Sequence, residues 1–133
     1  MRRNRFFALL LLLLLWACQT SEEEQVRQVL NQRGEAFKKK DLSLYVSCFS
    51  KDYQDKEGDL SQLQKRMDSH FKTFDRIEYS TWDRSVQMDG ETATVTQQFS
   101  IEIEAGGKKN SFSNKEAFLL RKEGRHWKIL KGL

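Results

Sequence analysis

The residue types best suited to bind metals or act as nucleophiles are sparse in this chain, which has two cysteines and two histidines among 133 residues. Cys18, Cys48, His70 and His126 have spacings that match no recognised metal-site pattern. Cys48 lies in the largely apolar run 44–49 and is expected to be a buried structural thiol, because reactive cysteines need an exposed, electropositive setting. We therefore expect neither a metal ion nor another cofactor.

Carboxylate and amide chemistry has more support, from polar residues on a sheet face that is otherwise apolar. Asp89-Gly90, Gly106-Gly107 and Glu123-Gly124 are typical of two-residue hairpin turns, and pairing the flanking residues sets the register of four strands. Counting outward gives two largely apolar rows: Val86, Ala93, Leu120, Trp127, and then Arg84, Val95, Phe118, Ile129. The following rows are partly polar: Trp82, Gln97, Glu116, Lys131, and then Ser80, Phe99, Asn114, Leu133.

Two interpretations of this polar end stay open. Buried polar groups cost about 2–7 kcal/mol unless they are paired or hydrated. Gln97, Glu116 and Lys131 therefore either line the mouth of a water-filled pocket, or they satisfy one another without any ligand. In the second case Glu116 and Lys131 form a cross-strand ion pair and Gln97 bonds to Glu116.

The opposite sheet face is predicted to be wetted, because a run of polar residues alternates with the apolar ones. These outer residues are Thr92, Thr94, Thr96, Gln98, Ser100, Glu102 and Glu104. Only Ala117, Leu119 and Leu130 are apolar there, so at most a weak homodimer is expected through this face. In the first strand Ile77 and Tyr79 are out of phase with Trp82, and a bulge near Ser80-Thr81 would correct the phase.

Three helices are predicted before the strands. Ser21 and Glu24 form a capping box ahead of a first helix over about 22–39, in which Val26, Val29, Leu30, Arg33 and Phe37 share one face. Asp41 caps a short second helix through Phe49, and a third follows Gly58-Asp59 with the stripe Leu60, Leu63, Met67, Phe71, Phe74. Helices followed by strands in one domain indicate an α+β fold.

The N-terminus predicts export. Residues 1–17 begin with a basic segment and continue as an apolar run from Phe6 to Trp16, which is the pattern of a signal peptide and shorter than the roughly 20 residues of a membrane span. Leu15-Trp16-Ala17-Cys18 resembles the bacterial lipobox, so Cys18 is expected to carry a lipid. The alternative is a plain signal peptide that leaves Cys18 as an ordinary thiol. Gln19, rather than Asp, follows the cysteine, so in a host with two membranes we expect the outer one, with the domain facing the periplasm.

Charge argues against a nucleic-acid partner. The formal net charge is +4, but three of the 23 basic residues, Arg2, Arg3 and Arg5, lie in the predicted signal peptide. The rest nearly balance the 19 acidic side chains, whereas nucleic-acid binding needs a basic surface. We expect a tether over 18–24 and one domain over 25–133, which is enough chain for a single core.

Two segments carry a resemblance to a known family. Residues 35–45, Glu-Ala-Phe-Lys-Lys-Lys-Asp-Leu-Ser-Leu-Tyr, and the hairpin 118–129 with its Gly-x-x-Trp-x-Ile ending resemble the nuclear transport factor 2-like superfamily (SnoaL-like, grouped with cystatin-like folds). The resemblance implies a cone-shaped α+β fold, with three N-terminal helices packed on a curved four-stranded antiparallel meander. The open end of such a cone holds a ligand or an active site.

The same resemblance leaves two functional classes open. The enzymes of this superfamily include ketosteroid isomerases, polyketide cyclases and dehydratases, which use a pocket carboxylate with a hydroxyl donor. The candidates for such roles in this chain are Glu116, Tyr45, Tyr53 and His70. A neighbouring Lys131 would keep Glu116 ionised, and His70 fits a helix flank. We favour a non-enzymatic envelope lipoprotein that binds a small molecule or docks an envelope protein. The residues expected to line the pocket are Tyr45, Tyr53, Trp82, Gln97, Asn114, Glu116 and Lys131.

Overall fold

A computed structural model describes residues 20–133. The predicted signal peptide and the predicted lipidation site Cys18 therefore lie outside the described residues. The described chain forms α1 (Glu22–Lys39), α2 (Leu42–Ser47), β1 (Phe49–Asp55), β2 (Gly58–Asp59), α3 (Leu60–Thr73), β3 (Arg76–Asp89), β4 (Thr92–Ala105), β5 (Lys108–Glu123) and β6 (His126–Gly132). Within this part of the chain, no helix combines the length and the apolar character needed to cross a membrane.

The three predicted helices are present, and side-chain caps set where they begin. Ser21 accepts a hydrogen bond from the backbone of Glu24 at the start of α1, so the last residues of the expected tether are already helical. Asp41 caps α2, and Asp59 and Gln62 form a reciprocal capping box at α3. The second helix ends at Ser47 rather than Phe49, because Phe49 pairs with Ile129 in the sheet.

The described strands form one six-stranded sheet in the order β2-β1-β6-β5-β4-β3, so the prediction of a four-stranded meander was incomplete. The strands β3 to β6 are the predicted meander. The extra strand β1 lies parallel to β6 and pairs with the short β2. Its segment, Phe49–Asp55, has no β-branched residue and three charged ones, which is why its sequence did not predict a strand.

Only the middle hairpin has the predicted register. Its turn is Gly106-Gly107, and Gln97 pairs with Glu116 as expected. In the other two hairpins the glycine is the first turn residue, because Asp89 pairs with Thr92 and Glu123 with His126. Gly90 and Gly124 have φ of 60° and 63°, the conformation that a turn with glycine in first position requires. The predicted apolar rows are therefore shifted at β3 and β6.

The bulge in β3 lies at a different place from the predicted one. The register shifts between Trp82 and Ser85, and Asp83 has a φ of 52°, a conformation that is uncommon for residues other than glycine. The shift turns Tyr79 toward the inner face, opposite Ile101, and places Trp82 opposite Gln98 on the outer face. The bulge also carries the next residue, Arg84, inward to contact α1.

The core lies between α1 and the inner face of the sheet. The stripe of α1 buries Val26, Leu30 and Phe37, and β4 and β5 bury Ala93, Val95, Phe118 and Leu120 against it. Rings extend this core toward α2 and α3, where Phe37 contacts Tyr45 and Phe71 edge to face. One position on this face of α1, Arg33, is charged, and it organises the site described next.

Candidate functional site

A buried ion pair joins the first helix to the sheet. Arg33 of α1 is 8% exposed, and its Nη1 and Nη2 donate to the two carboxylate oxygens of Glu116 on β5 at 3.3 and 3.4 Å. Gln97 of β4 donates to Glu116 Oε1 at 2.7 Å, and the Tyr79 hydroxyl of β3 donates to the same oxygen. These four residues, Arg33, Tyr79, Gln97 and Glu116, are called the Arg33 cluster below.

Aromatic rings surround the guanidinium of Arg33. Its central carbon lies 5.1 Å from the ring centroid of Phe37, 5.9 Å from Tyr45, 5.3 Å from Tyr79 and 4.8 Å from Phe118. Such contacts stabilise a cation that has lost its water. Among the described residues, Arg33 Nε has no hydrogen-bond partner, so the rings and Glu116 together replace its solvation shell.

The protonation states of the cluster follow from burial and charge. Burial alone would lower the pKa of Arg33, but Tyr45, Tyr79 and Glu116 outweigh it and raise that pKa above its ordinary value. Burial raises the pKa of Tyr79 and of Tyr45, although Arg33 acts in the opposite direction on both. The arginine is therefore charged and both tyrosines are protonated at neutral pH.

A second arginine fixes the orientation of Gln97. Arg84 Nε donates to Gln97 Oε1 at 2.7 Å, while Arg84 Nη1 donates to Asn31 of α1 at 2.8 Å. The Gln97 amide thus accepts from Arg84 and donates to Glu116, which satisfies it on both sides although only 1% of the residue is exposed. The hydrogen-bonded chain from Asn31 to Glu116 links α1 to three strands.

The residues predicted to line a pocket are only partly brought together. Gln97 and Glu116 belong to the Arg33 cluster, and the buried Tyr45 lies beside Arg33. Tyr53 is buried elsewhere, where its hydroxyl donates to Asp55 at 3.1 Å; burial and then Asp55 raise its pKa. The remaining three, Trp82, Asn114 and Lys131, are exposed and apart from the cluster.

The predicted partner of Glu116 was wrong. Lys131 pairs with Leu119 rather than Glu116, because the last turn is shifted and the β5–β6 register has an irregularity between Leu119 and Leu120. The cation that compensates Glu116 is Arg33. The available signal was its place as the one charged residue in the apolar stripe of α1, since a charge on a buried face needs a partner.

The other candidate side chains lie outside the cluster. His70 is exposed on α3, with its ring 5.7 Å from that of Phe74, and not on a partly buried flank as expected. Cys48 is buried, and burial raises the pKa of its thiol. In residues 20–133 no three His, Cys, Asp or Glu side chains are grouped in a way that could hold a metal ion.

The cluster limits what Glu116 can do chemically. A general base must reach a substrate proton with a free lone pair. Glu116 Oε1 accepts from Arg33, Tyr79 and Gln97, whereas Oε2 accepts only from Arg33, at 3.4 Å. Tyr79 directs its hydroxyl hydrogen to the carboxylate rather than outward. The arrangement resembles a structural network, because the acid and base groups are bonded to each other.

Two surface grooves flank α1. One, the N-terminal groove, has a volume of about 630 Å³ and lies between α1 and the β5–β6 hairpin. Its lining includes Thr20, Gln25, Gln28, Lys122, Arg125 and Lys128. The other, the α1–β3 groove, has a volume of about 450 Å³, and its lining includes Asn31, Gly34, Lys38, Tyr79, Thr81 and Arg84. Neither is lined by Gln97 or Glu116.

Comparison with known families now identifies the domain. The family model described as the SnoaL-like domain matches residues 26–132, which is most of the chain. The protein belongs to the SnoaL-like family. A search of curated proteins finds no significant match to this SnoaL-like domain.

Solved structures share the fold at low sequence identity. A candidate dehydratase of the nuclear transport factor 2-like family from Streptomyces avermitilis is 17% identical, with a TM-score of 0.76 over 84% of this chain and 92% of that one. A superfamily member from Salmonella enterica is 15% identical, with a TM-score of 0.75 over 83% and 87%. A candidate scytalone dehydratase from Novosphingobium aromaticivorans is 8% identical, with a TM-score of 0.73 over 84% and 80%. The SnoaL-like domain therefore has the α+β nuclear transport factor 2-like fold.

Proposed function

We propose that the protein is a non-catalytic, lipid-anchored SnoaL-like domain of the bacterial cell envelope. It binds a small molecule or an envelope protein through its surface grooves rather than inside the cone. The observation that carries this proposal is the engagement of Glu116 within the Arg33 cluster. The carboxylate best placed to act as a base accepts hydrogen bonds from Arg33, Tyr79 and Gln97, and the arginine that pairs with it is surrounded by aromatic rings.

An enzyme of the dehydratase type is the alternative function. Two relatives are described as candidate dehydratases, and the contact between Tyr79 and Glu116 joins the acid and base groups that a dehydration uses. In this alternative the cluster opens and admits substrate and water. The two functions therefore differ in how accessible the cluster tyrosines are to solvent.

A tyrosine titration tests this difference. The chain has three tyrosines, and burial raises the pKa of each one, Tyr45, Tyr53 and Tyr79. An exposed tyrosine has a pKa of about 10. We expect almost no phenolate absorbance at that pH as long as circular dichroism shows a folded domain. As the pH rises, the tyrosines of the unfolded chain lose their hydroxyl protons before those of the folded domain. The contribution of the buried tyrosines to the free energy of unfolding is therefore complete below about pH 10 and decreases at higher pH.

Single replacements assign any signal that does appear. Tyr45→Phe and Tyr79→Phe each remove one cluster phenol, and Tyr53→Phe is the matched control outside the cluster. Ionisation of Tyr79 at its ordinary pH in a folded domain would mean that the cluster is open to water. That result would favour the dehydratase alternative over the non-catalytic proposal.

The anchor is tested separately. Cys18→Ser is expected to abolish partitioning into the detergent phase and to block lipoprotein-type processing, because the acyl chains on Cys18 are the proposed membrane attachment. Cys48→Ala is the matched control, since Cys48 is a buried thiol within the fold, and it should partition like the wild type. A Cys18→Ser protein that still enters the detergent phase would contradict lipidation, and recovery only from the inner membrane would contradict the proposed outer-membrane location.

A further inference from the structure

We propose that the α1–β3 groove is a binding site for a small carboxylate ligand with an apolar body, and that Arg84 binds the carboxylate. This inference deepens the binding role proposed above and rests on it. The ligand class follows from three features of the groove: an arginine without a counter-ion, an apolar wall and an additional cation at the edge.

Arg84 is the first feature. Its side chain is half-buried, and within residues 20–133 no carboxylate oxygen lies within 4.0 Å of its nitrogens. Its partners are neutral: Gln97, Asn31, the backbone oxygen of Arg27 and Thr81. Nη2 has only Thr81 Oγ1, at 3.5 Å, a distance at which a hydrogen bond is weak. A guanidinium removed from bulk water with a donor to spare is suited to a carboxylate.

The backbone is shaped to place this arginine. Asp83 adopts a φ of 52°, and the register shift between Trp82 and Ser85 marks a bulge. Residues two apart in a regular strand point to the same face of the sheet. Without the bulge, Arg84 would therefore point to the outer face, as Trp82 does. Bulges commonly re-aim side chains next to binding sites, and this one directs Arg84 toward α1 at the groove.

Gly34 and Tyr79 provide the apolar wall. A Cβ at Gly34 would lie 3.4 Å from Cδ1 and 3.6 Å from Cε1 of Tyr79, so the absence of a side chain leaves one side of the ring uncovered. Leu30 continues this wall. A ligand ring could lie against Tyr79 while its carboxylate reaches Arg84, in a groove of about 450 Å³.

The surrounding charge favours an anion. Lys38 lines the groove. Burial lowers the pKa of Arg84, Arg27 lowers it further, and Tyr79 and Glu116 act in the opposite direction. The acidic residue of the groove, Glu35, lies 4.0 Å from Lys39. Glu116 is engaged by Arg33. The net positive charge of the groove is therefore available to a ligand.

Titration of the folded domain with benzoate, followed by amide and arginine side-chain NMR signals, tests the site. We expect saturable shifts at Asn31, Gly34, Tyr79, Thr81 and Arg84, and weaker binding of acetate and of inorganic phosphate. Arg84→Gln should reduce the association constant by at least about tenfold, because it removes the charge-assisted hydrogen bonds. Lys115→Gln removes an equal charge from the exposed outer face and should leave binding unchanged.

Gly34→Ala separates binding from folding. The added methyl group meets the Tyr79 ring at contact distance without a severe clash, and alanine favours a helix more than glycine does. We therefore expect a higher melting temperature but weaker benzoate binding.

The absence of saturable shifts in the wild type, or undiminished binding by folded Arg84→Gln, would overturn the proposal. Acetate or phosphate binding as tightly as benzoate would contradict the ligand class. The tyrosine titration is measured without benzoate and reports the access of water to the cluster, so failure of the site and failure of the non-catalytic proposal can be told apart.

Discussion

Replacing Arg33 with methionine is expected to lower the free energy of unfolding by about 3–5 kcal/mol, the usual cost of leaving one member of a buried ion pair without its partner. Glu116 would keep its hydrogen bonds from Tyr79 and Gln97, but its negative charge would have no cation at hydrogen-bond distance. Methionine retains most of the apolar bulk among the four rings, so the loss reports mainly the charge.

A double-mutant cycle provides the control. Arg33→Met combined with Glu116→Leu removes both charges and should be more stable than Arg33→Met alone, since an apolar pair of similar size is often neutral or stabilising. The measurement is urea unfolding of all four proteins with a constant m-value. A loss below about 1 kcal/mol for Arg33→Met would mean that water reaches Glu116 and that the cluster is not sealed.

The second large effect is expected at Phe118. This residue is 6% exposed and its ring lies 4.8 Å from the guanidinium carbon of Arg33, so Phe118→Ala should cost about 3–5 kcal/mol through lost burial and a cavity. Trp127→Ala should cost a similar amount, because Trp127 is 3% exposed and its Nε1 donates to Glu22 at 2.6 Å.

Phe112 is the matched control for Phe118. It has the same side chain on the same strand but is 55% exposed, so Phe112→Ala should change the free energy of unfolding by less than about 1 kcal/mol. Thermal and urea unfolding measure all three variants. Equal losses for Phe112→Ala and Phe118→Ala would contradict the assignment of Phe118 to the inner core face.

Local signals in the sequence predicted most of the helices and one hairpin. Ser21, Asp41 and Asp59 each cap a helix at the expected place, because capping depends on neighbouring residues only. Gly106-Gly107 predicted the correct register of β4 and β5, because two adjacent glycines identify both residues of the turn. Asp89-Gly90 and Glu123-Gly124 were misassigned because one glycine fits either turn position, and only the opposing strand decides between them.

The candidate site was predictable in part for the same reason. The pairing of Gln97 with Glu116 depends on the middle hairpin alone and was confirmed. The contact of Glu116 with Arg33 joins residues far apart in the chain through packing of α1 on the sheet, and no local pattern encodes it. A bulge that brings Tyr79 into phase was expected near Ser80-Thr81 and lies at Asp83 instead. The contact of Tyr79 with Glu116 was missed because it joins two strands that are not neighbours in the sheet.

The early start of α1 determines where an anchored domain can work. The helix begins at Glu22, and Glu22 is held by Trp127 and Lys122, so the fold beside the N-terminal groove is already ordered at this residue. The few residues between Cys18 and the helix can span only roughly 10–15 Å when extended. Once acylated at Cys18, the domain would be held against the surface of its own leaflet. A partner would then have to approach along that membrane surface, and a soluble ligand would reach the protein there.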